Sequence, residues 1–168
     1  MTSLSPTAQR VQLALQSLGS TAVIREHPEA CRTSAEAAAV LGCEVAQIAK
    51  SVIFKGETSG GSILVIASGA NRVDTAKVAA VAGEKPGKAD ADFVREHTGF
   101  VIGGVSPIAH AKPGKVFFDR DLLQFDRVYP AGGTPQAMFA IEPNELLRVS
   151  GAVLADIAQV SSGATAPR

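Results

Sequence analysis

Apolar and polar positions divide this chain into short helices and strands. Val11, Leu15 and Leu18 share one helical face behind Ser5-Pro6, a start in which the serine caps free amides and the proline loses no hydrogen bond, with Gly19 as the stop. Ala22-Val23-Ile24 reads as a short strand ending near His27-Pro28. Thr33-Ser34-Ala35-Glu36 has capping-box spacing before an alanine-rich helix to Leu41, closed by Gly42. Ile48 to Phe54 and Ile63 to Ala67 predict two strands around a polar, glycine-rich hairpin loop, and the wholly apolar second strand belongs at a sheet centre.

Further on, Asp74 caps a helix carrying Val78, Val81 and Ala82 to Gly83, and Asp90 caps another carrying Phe93 and Val94 to Gly99. Strands are expected at Phe100 to Ile102, Val116 to Phe118 and Met138 to Ile141. Glu142-Pro143 opens a last helix with Leu146 and Leu147, and residues 161–168 read as a frayed tail. The pattern gives one domain over residues 1–160, without repeat or linker. Strand and helix do not alternate regularly, so a mixed α+β domain is predicted rather than a doubly wound sheet.

Composition narrows the function classes. With 168 residues, 46% hydrophobic and 19% charged, the chain can bury a core without staples. Sixteen basic residues balance sixteen acidic ones, so no broad positive field exists to hold long duplex DNA, although a local nucleic-acid contact stays open. Two cysteines, Cys31 and Cys43, supply neither a disulfide framework nor zinc spacing, which points to a reducing cytoplasm. No leader pattern or membrane-length apolar run is seen. GxGxxG, GxxxxGK[ST], GxSxG and HExxH are all missing, so no nucleotide cofactor, serine-hydrolase elbow or zinc-peptidase helix is indicated.

Three features carry candidate chemistry. Lys50 stands at the entry of an apolar strand, on the face that alternation gives to Val52 and Phe54. Either its stem packs along the sheet while its ammonium reaches water, or the cation is aimed into a cleft to hold a phosphate or carboxylate. Gly103-Gly104-Val105-Ser106-Pro107 is either an ordinary turn or a ligand loop whose free amides face an anionic or developing oxyanion centre. His110 follows that loop closely enough to share its site; His97 belongs to a helix end, and both cysteines read as small buried side chains.

Taken together, Ala49-Lys50-Ser51-Val52-Ile53, Gly69-Ala70-Asn71-Arg72-Val73-Asp74, Gly99 to Pro107 and Ala131-Gly132-Gly133 resemble the YbaK family of aminoacyl-tRNA deacylases, related to the editing domain of bacterial prolyl-tRNA synthetases. The resemblance runs from about Ser5 to Ala158. It implies a single compact α+β domain with a mixed, barrel-like sheet flanked by helices, and a cytoplasmic hydrolase acting in trans on mischarged tRNA. Lys50 matches the family lysine that would hold the terminal adenosine and its phosphate. Gly103 and Pro107 match the GxxxP loop whose amides would orient the aminoacyl carbonyl near the attacking water. On this reading the catalytic set is Lys50, Gly103, Gly104, Ser106 and Pro107, and the substrate-binding set is Ser51, His27, His110, Gly132 and Gly133. No metal or cofactor is implied, and a hydroxyl of the substrate's own ribose serves as proton relay.

The implied partners are the 3′ acceptor end of a mischarged tRNA and an aminoacyl-tRNA synthetase, with neither DNA nor membrane. Two departures matter: Ser51 stands where many members carry Thr or Asn, and Thr134-Pro135-Gln136 follows the second glycine pair where relatives often have basic residues. Expected substrates are tRNAs carrying Ala, Ser, Thr or Cys. The rival readings are a non-catalytic aminoacyl- or nucleotide-binding module and a thiol-transfer protein using Cys31 or Cys43.

Overall fold

The computed structural model describes residues 4–160; the expected tail at 161–168 lies outside them. Helix α1 spans Pro6–Ser17, α2 Ser34–Leu41, α3 Thr75–Ala82, α4 Ala91–Thr98 and α5 Pro143–Ser150. The expected caps form at four of them: Ser5, Thr33, Asp74 and Asp90 each accept from amides of the following first turn. At α2 only half of the capping box closes, because Glu36 turns back to the Arg32 amide at 2.7 Å. Gly42, Gly83 and Gly99 end their helices in the left-handed conformation that other residues resist.

The sheet is built on β2 (Ile48–Gly56) and β3 (Ser62–Ser68), an antiparallel hairpin in register from Ala49↔Ser68 to Lys55↔Ser62. On its other side β3 pairs in parallel with β5 (Lys115–Asp119), which pairs with β8 (Val153–Ala155). The outer edge of β2 carries β6 (Tyr129–Pro130) at one end and β4 (Pro86–Lys88) at the other. A separate two-residue ladder joins β1 (Arg25–Glu26) to β7 (Ala137–Met138). The fold is therefore mixed α+β. The main sheet is open, ending at β4 and β8, so the barrel expectation holds only loosely.

Every residue of β3 is buried, because both faces are covered. Leu64 and Ile66 pack with Val11, Leu15, Val94 and Leu146 of α1, α4 and α5. Ile63, Val65 and Ala67 pack on Val78 and Ala82 of α3. Burying these side chains supplies the main stabilisation, about 1.5–3 kcal/mol for each large one.

Three predicted strands change. Ala22 to Ile24 is not a strand, since the Gln12 side chain serves its backbone, donating to the Ala22 carbonyl at 2.9 Å and accepting from the Ile24 amide at 2.8 Å; the ladder starts one residue later. Phe100 to Ile102 is loop: Thr98 Oγ1 accepts from the Phe100 amide at 3.0 Å, the Val101 carbonyl accepts from Gly104, and Val101 and Ile102 face solvent. Of Met138 to Ile141, only Met138 is in β7, and Ile141 makes an isolated bridge to Val128.

Candidate active site

A gap in the sheet edge creates the site. β6 covers β2 at Ile48–Ala49 and β4 covers it from Phe54, so the stretch between has a neighbour only in β3. The Ile48 carbonyl and the Gly56 amide both bond toward the hairpin side. Alternation therefore points the N–H and C=O of Ser51 and Ile53 into the gap. A cavity of about 220 Å³ opens there, lined by Lys50, Ser51, Gly103, Val105, Thr134 and Pro135 among others.

Lys50 is tethered from behind. Its Nζ donates to the Asn71 carbonyl at 2.6 Å, and Asn71 Nδ2 donates to Asp119 Oδ2 at 2.8 Å and Asp121 Oδ2 at 2.9 Å. Asp119, 1% exposed at the end of β5, also accepts from the Ser68 amide through Oδ2 and the Asp121 amide through Oδ1. The ammonium thus keeps a fixed place while having, among the described residues, one partner for three protons. Burial, and then repulsion from Arg72, push its pKa below the ordinary lysine value, with Asp119 opposing. Such a cation gains most from an incoming anion. Next along the strand, Ser51 Oγ is inaccessible to water and has no hydrogen-bond partner among the described residues.

The opposite wall consists of two glycine loops in backbone contact. Gly103 lines the cavity at φ +94°, a conformation few other residues adopt. Behind it, a Cβ on Gly104 would lie 2.7 Å from the Thr134 backbone, so only glycine lets the loops approach this closely. Gly132 and Gly133 lie beneath the second loop, where added Cβ atoms would meet Ile24 at 2.9 Å and Val11 at 3.0 Å. They seat Thr134 and Pro135 on the cavity rather than lining it themselves. Among the described residues, the amides of Gly103, Val105 and Ser106 donate to no protein acceptor. Free amides beside a fixed cation suit a carbonyl that becomes an oxyanion.

The remaining candidates stand further back. Ser106 is fully buried, its Oγ accepting from the Ile108 amide at 3.1 Å and its carbonyl lying 2.6 Å from the His110 ring; Pro107 is buried next to it. His110 packs edge-on against Phe100, and burial lowers its pKa. It supports the loop from outside the cavity lining. His27 lines a neighbouring cavity. Cys31 does reach the first cavity, but burial and Glu36 raise its pKa, which favours the unreactive thiol. Sequence reasoning missed the Asn71, Asp119 and Asp121 tether and the lining by Tyr129 and Met138. Among the described residues no cluster of three or more His, Cys, Asp or Glu is placed to hold a metal ion, and no helix is long and apolar enough to cross a membrane.

Known proteins share this architecture. A solved structure described as a candidate trans-editing enzyme for prolyl-tRNA synthetase is 45% identical, with a TM-score of 0.88 over 94% of this chain and 100% of that one. The hypothetical protein APE2540 is 33% identical, with a TM-score of 0.82 over 89% of this chain and 99% of its own. Uncharacterized protein YwhH of Bacillus subtilis (strain 168) is 33% identical over 127 residues, covering 76% of this chain and 80% of YwhH. Residues 28–149 match the model of the aminoacyl-tRNA editing domain, a span that holds the Lys50 tether and both glycine loops. Aminoacyl-tRNA hydrolysis is the activity class that accompanies this match. The chain belongs to the aminoacyl-tRNA editing domain family.

Proposed function

We propose that this chain acts in trans to hydrolyse the ester of a tRNA mischarged with a small amino acid, among Ala, Ser, Thr and Cys, and that Lys50 and the Gly103 to Pro107 loop form its centre. The observation that carries the reading is one cavity of about 220 Å³ that sets a tethered ammonium against a loop with free amides. Lys50 holds the phosphate of the terminal adenosine. The amides of Gly103 and Val105 receive the carbonyl oxygen as it becomes negative. Water adds to the carbonyl carbon and gives up a proton to the neighbouring ribose hydroxyl, the carbonyl carbon–oxygen bond to the ribose breaks, and that hydroxyl passes its own proton to the released ribose oxygen. An ester is an activated substrate, so positioning and oxyanion stabilisation supply much of the acceleration.

A small cavity suits a small side chain, and an editing step is needed where a synthetase pocket cannot reject such a residue by binding alone. Ser51 is the specificity residue in this reading. Its carbonyl faces the gap and can accept from the substrate's α-ammonium, and its side chain sets the floor of the cavity at that point. The likeness to a candidate trans-editing enzyme for prolyl-tRNA synthetase makes tRNA for proline the first body to test and that synthetase the first partner.

The test is a deacylation panel with catalytic protein and tRNAs carrying Ala, Ser, Thr, Cys or Pro. The expected result is multiple turnover on one or two non-cognate charges, lost in Lys50→Ala. Protection of the ester without turnover would instead identify a binding module, and retained activity in Lys50→Ala would remove the mechanism. Replacing both Cys31 and Cys43 by Ser should leave turnover in place; its loss would favour the thiol rival.

A further inference from the structure

Beside the Lys50 cavity lies a larger one of about 570 Å³, of the size that holds small ligands, and nothing in the proposed hydrolysis uses it. Tyr129 and Met138 line both cavities and join them. Arg25 and Arg127 also line the second cavity, both exposed, and among the described residues neither guanidinium has an ion pair or hydrogen bond. Glu142 and Glu145 lie on the same wall system at the start of α5. His27 contributes a ring whose Nε2 is buried and has no hydrogen-bond partner among the described residues.

In kind, these groups are those that hold the parts of a single-stranded nucleotide. Guanidinium groups take phosphate, an aromatic ring takes the flat face of a base, and a carboxylate accepts from the exocyclic amine of cytosine. Uracil has no such donor. The carboxylates would repel a phosphate, so they fix which end of the nucleotide faces them.

We propose that this second cavity binds the cytidylate preceding the terminal adenosine, with Arg25 and Arg127 on the backbone, Tyr129 and His27 along the base and Glu142 or Glu145 on its amine. The inference rests on the reading of the Lys50 cavity as the seat of the aminoacylated adenosine. Because every tRNA ends in the same unpaired sequence, this subsite gives general affinity for acceptor ends and leaves amino-acid choice to the smaller cavity. It also supplies basic contacts that the segment after Gly133 lacks.

Equilibrium binding of fluorescent 5′-ACCA and 5′-AUUA tetranucleotides, over a range of salt, tests the assignment. The wild-type protein should prefer ACCA by about tenfold. Arg25→Gln/Arg127→Gln should weaken ACCA at least tenfold and flatten the salt dependence by about 0.7 log units per decade, for the one phosphate of the cytidylate. Arg95→Gln, on α4 outside both cavities, should bind as wild type. Equal affinity for the two tetranucleotides, or unchanged binding in the double variant, would overturn the inference even if deacylation proceeds. Selective, arginine-dependent binding without any deacylation would sustain the subsite and overturn the hydrolytic reading instead.

Discussion

The two walls of the smaller cavity are held in place by different physics. On the strand side, one cation is fixed by a chain of hydrogen bonds from Lys50 through Asn71 to a buried carboxylate. On the loop side the bonds are local, such as those of Ser106 to Ile108 and His110, and what sets the two glycine turns against each other is how closely their backbones approach. The difference teaches where each wall is fragile. A hydrogen-bonded cation tolerates small shifts in packing but not loss of charge or of an acceptor, whereas the loop wall tolerates changes of charge but not one added carbon.

The sharpest way to break the contrast is at the cation. On the proposed function, Lys50→Ala should lower deacylation by about 10³-fold or more, since it removes the cation assigned to locate the substrate. It should not unfold the protein. The fold lowers the lysine pKa, so the charged form carries a cost that is present at neutral pH and relieved as pH rises. Thermal melts at pH 7 should show a variant at least as stable as the parent, and a large loss of stability would contradict the assignment.

A single methyl on the other wall should come next. Gly104→Ala drives a carbon into the Thr134 backbone, and displacing a positioning loop by about 1 Å costs on the order of 10²-fold in rate. Circular dichroism should still show a folded protein. Wild-type rates in this variant would mean that the loops are not the carbonyl-facing wall.

Asp119→Asn probes the tether without touching the cavity. The new amide sets donors against donors at Ser68 and Asn71, an unsatisfied contact worth about 1–3 kcal/mol in stability. With Lys50 less well placed, KM should rise more than kcat falls. An unchanged KM would reduce Asp119 to a structural carboxylate.

The smallest expected effect lies away from both walls. Glu84 accepts from Lys115 at 2.8 Å and from the Ser59 and Thr58 amides, contacts that pull its pKa down to about 2. Its contribution to stability is present above the usual carboxylate value of 4.5 and is lost as pH falls through about 2. Glu84→Gln should therefore melt earlier at neutral pH, converge with the parent in acid, and deacylate normally. A change in rate would show that the β2 to β3 turn communicates with the site.

Legibility in the sequence followed the range of the interaction. Ser5, Thr33, Asp74 and Asp90 announce helices because a cap is satisfied within three residues, and β3 announces itself because burial on both faces demands an unbroken apolar run. β4, β6 and β8 contain two or three residues each and have no period to read. Phe100 to Ile102 has strand composition, yet a local bond to Thr98 turns it into loop. Lys50 and the glycine pairs stand out as residue types, and the family resemblance ordered them into one site. The tether did not stand out, because Asn71, though part of a segment that carries the resemblance, meets Asp119 only across 48 residues, and nothing in the sequence pairs the two.

That separation has a temporal consequence. The β2 to β3 hairpin closes locally, but the carboxylate that positions Lys50 arrives only when β5 docks in parallel beside β3, after the chain has closed a much longer loop. Long-range parallel pairing is slow to form. The expectation is that in refolding the hairpin forms before the cation is anchored, so that, on the proposed function, deacylation returns later than the sheet signal.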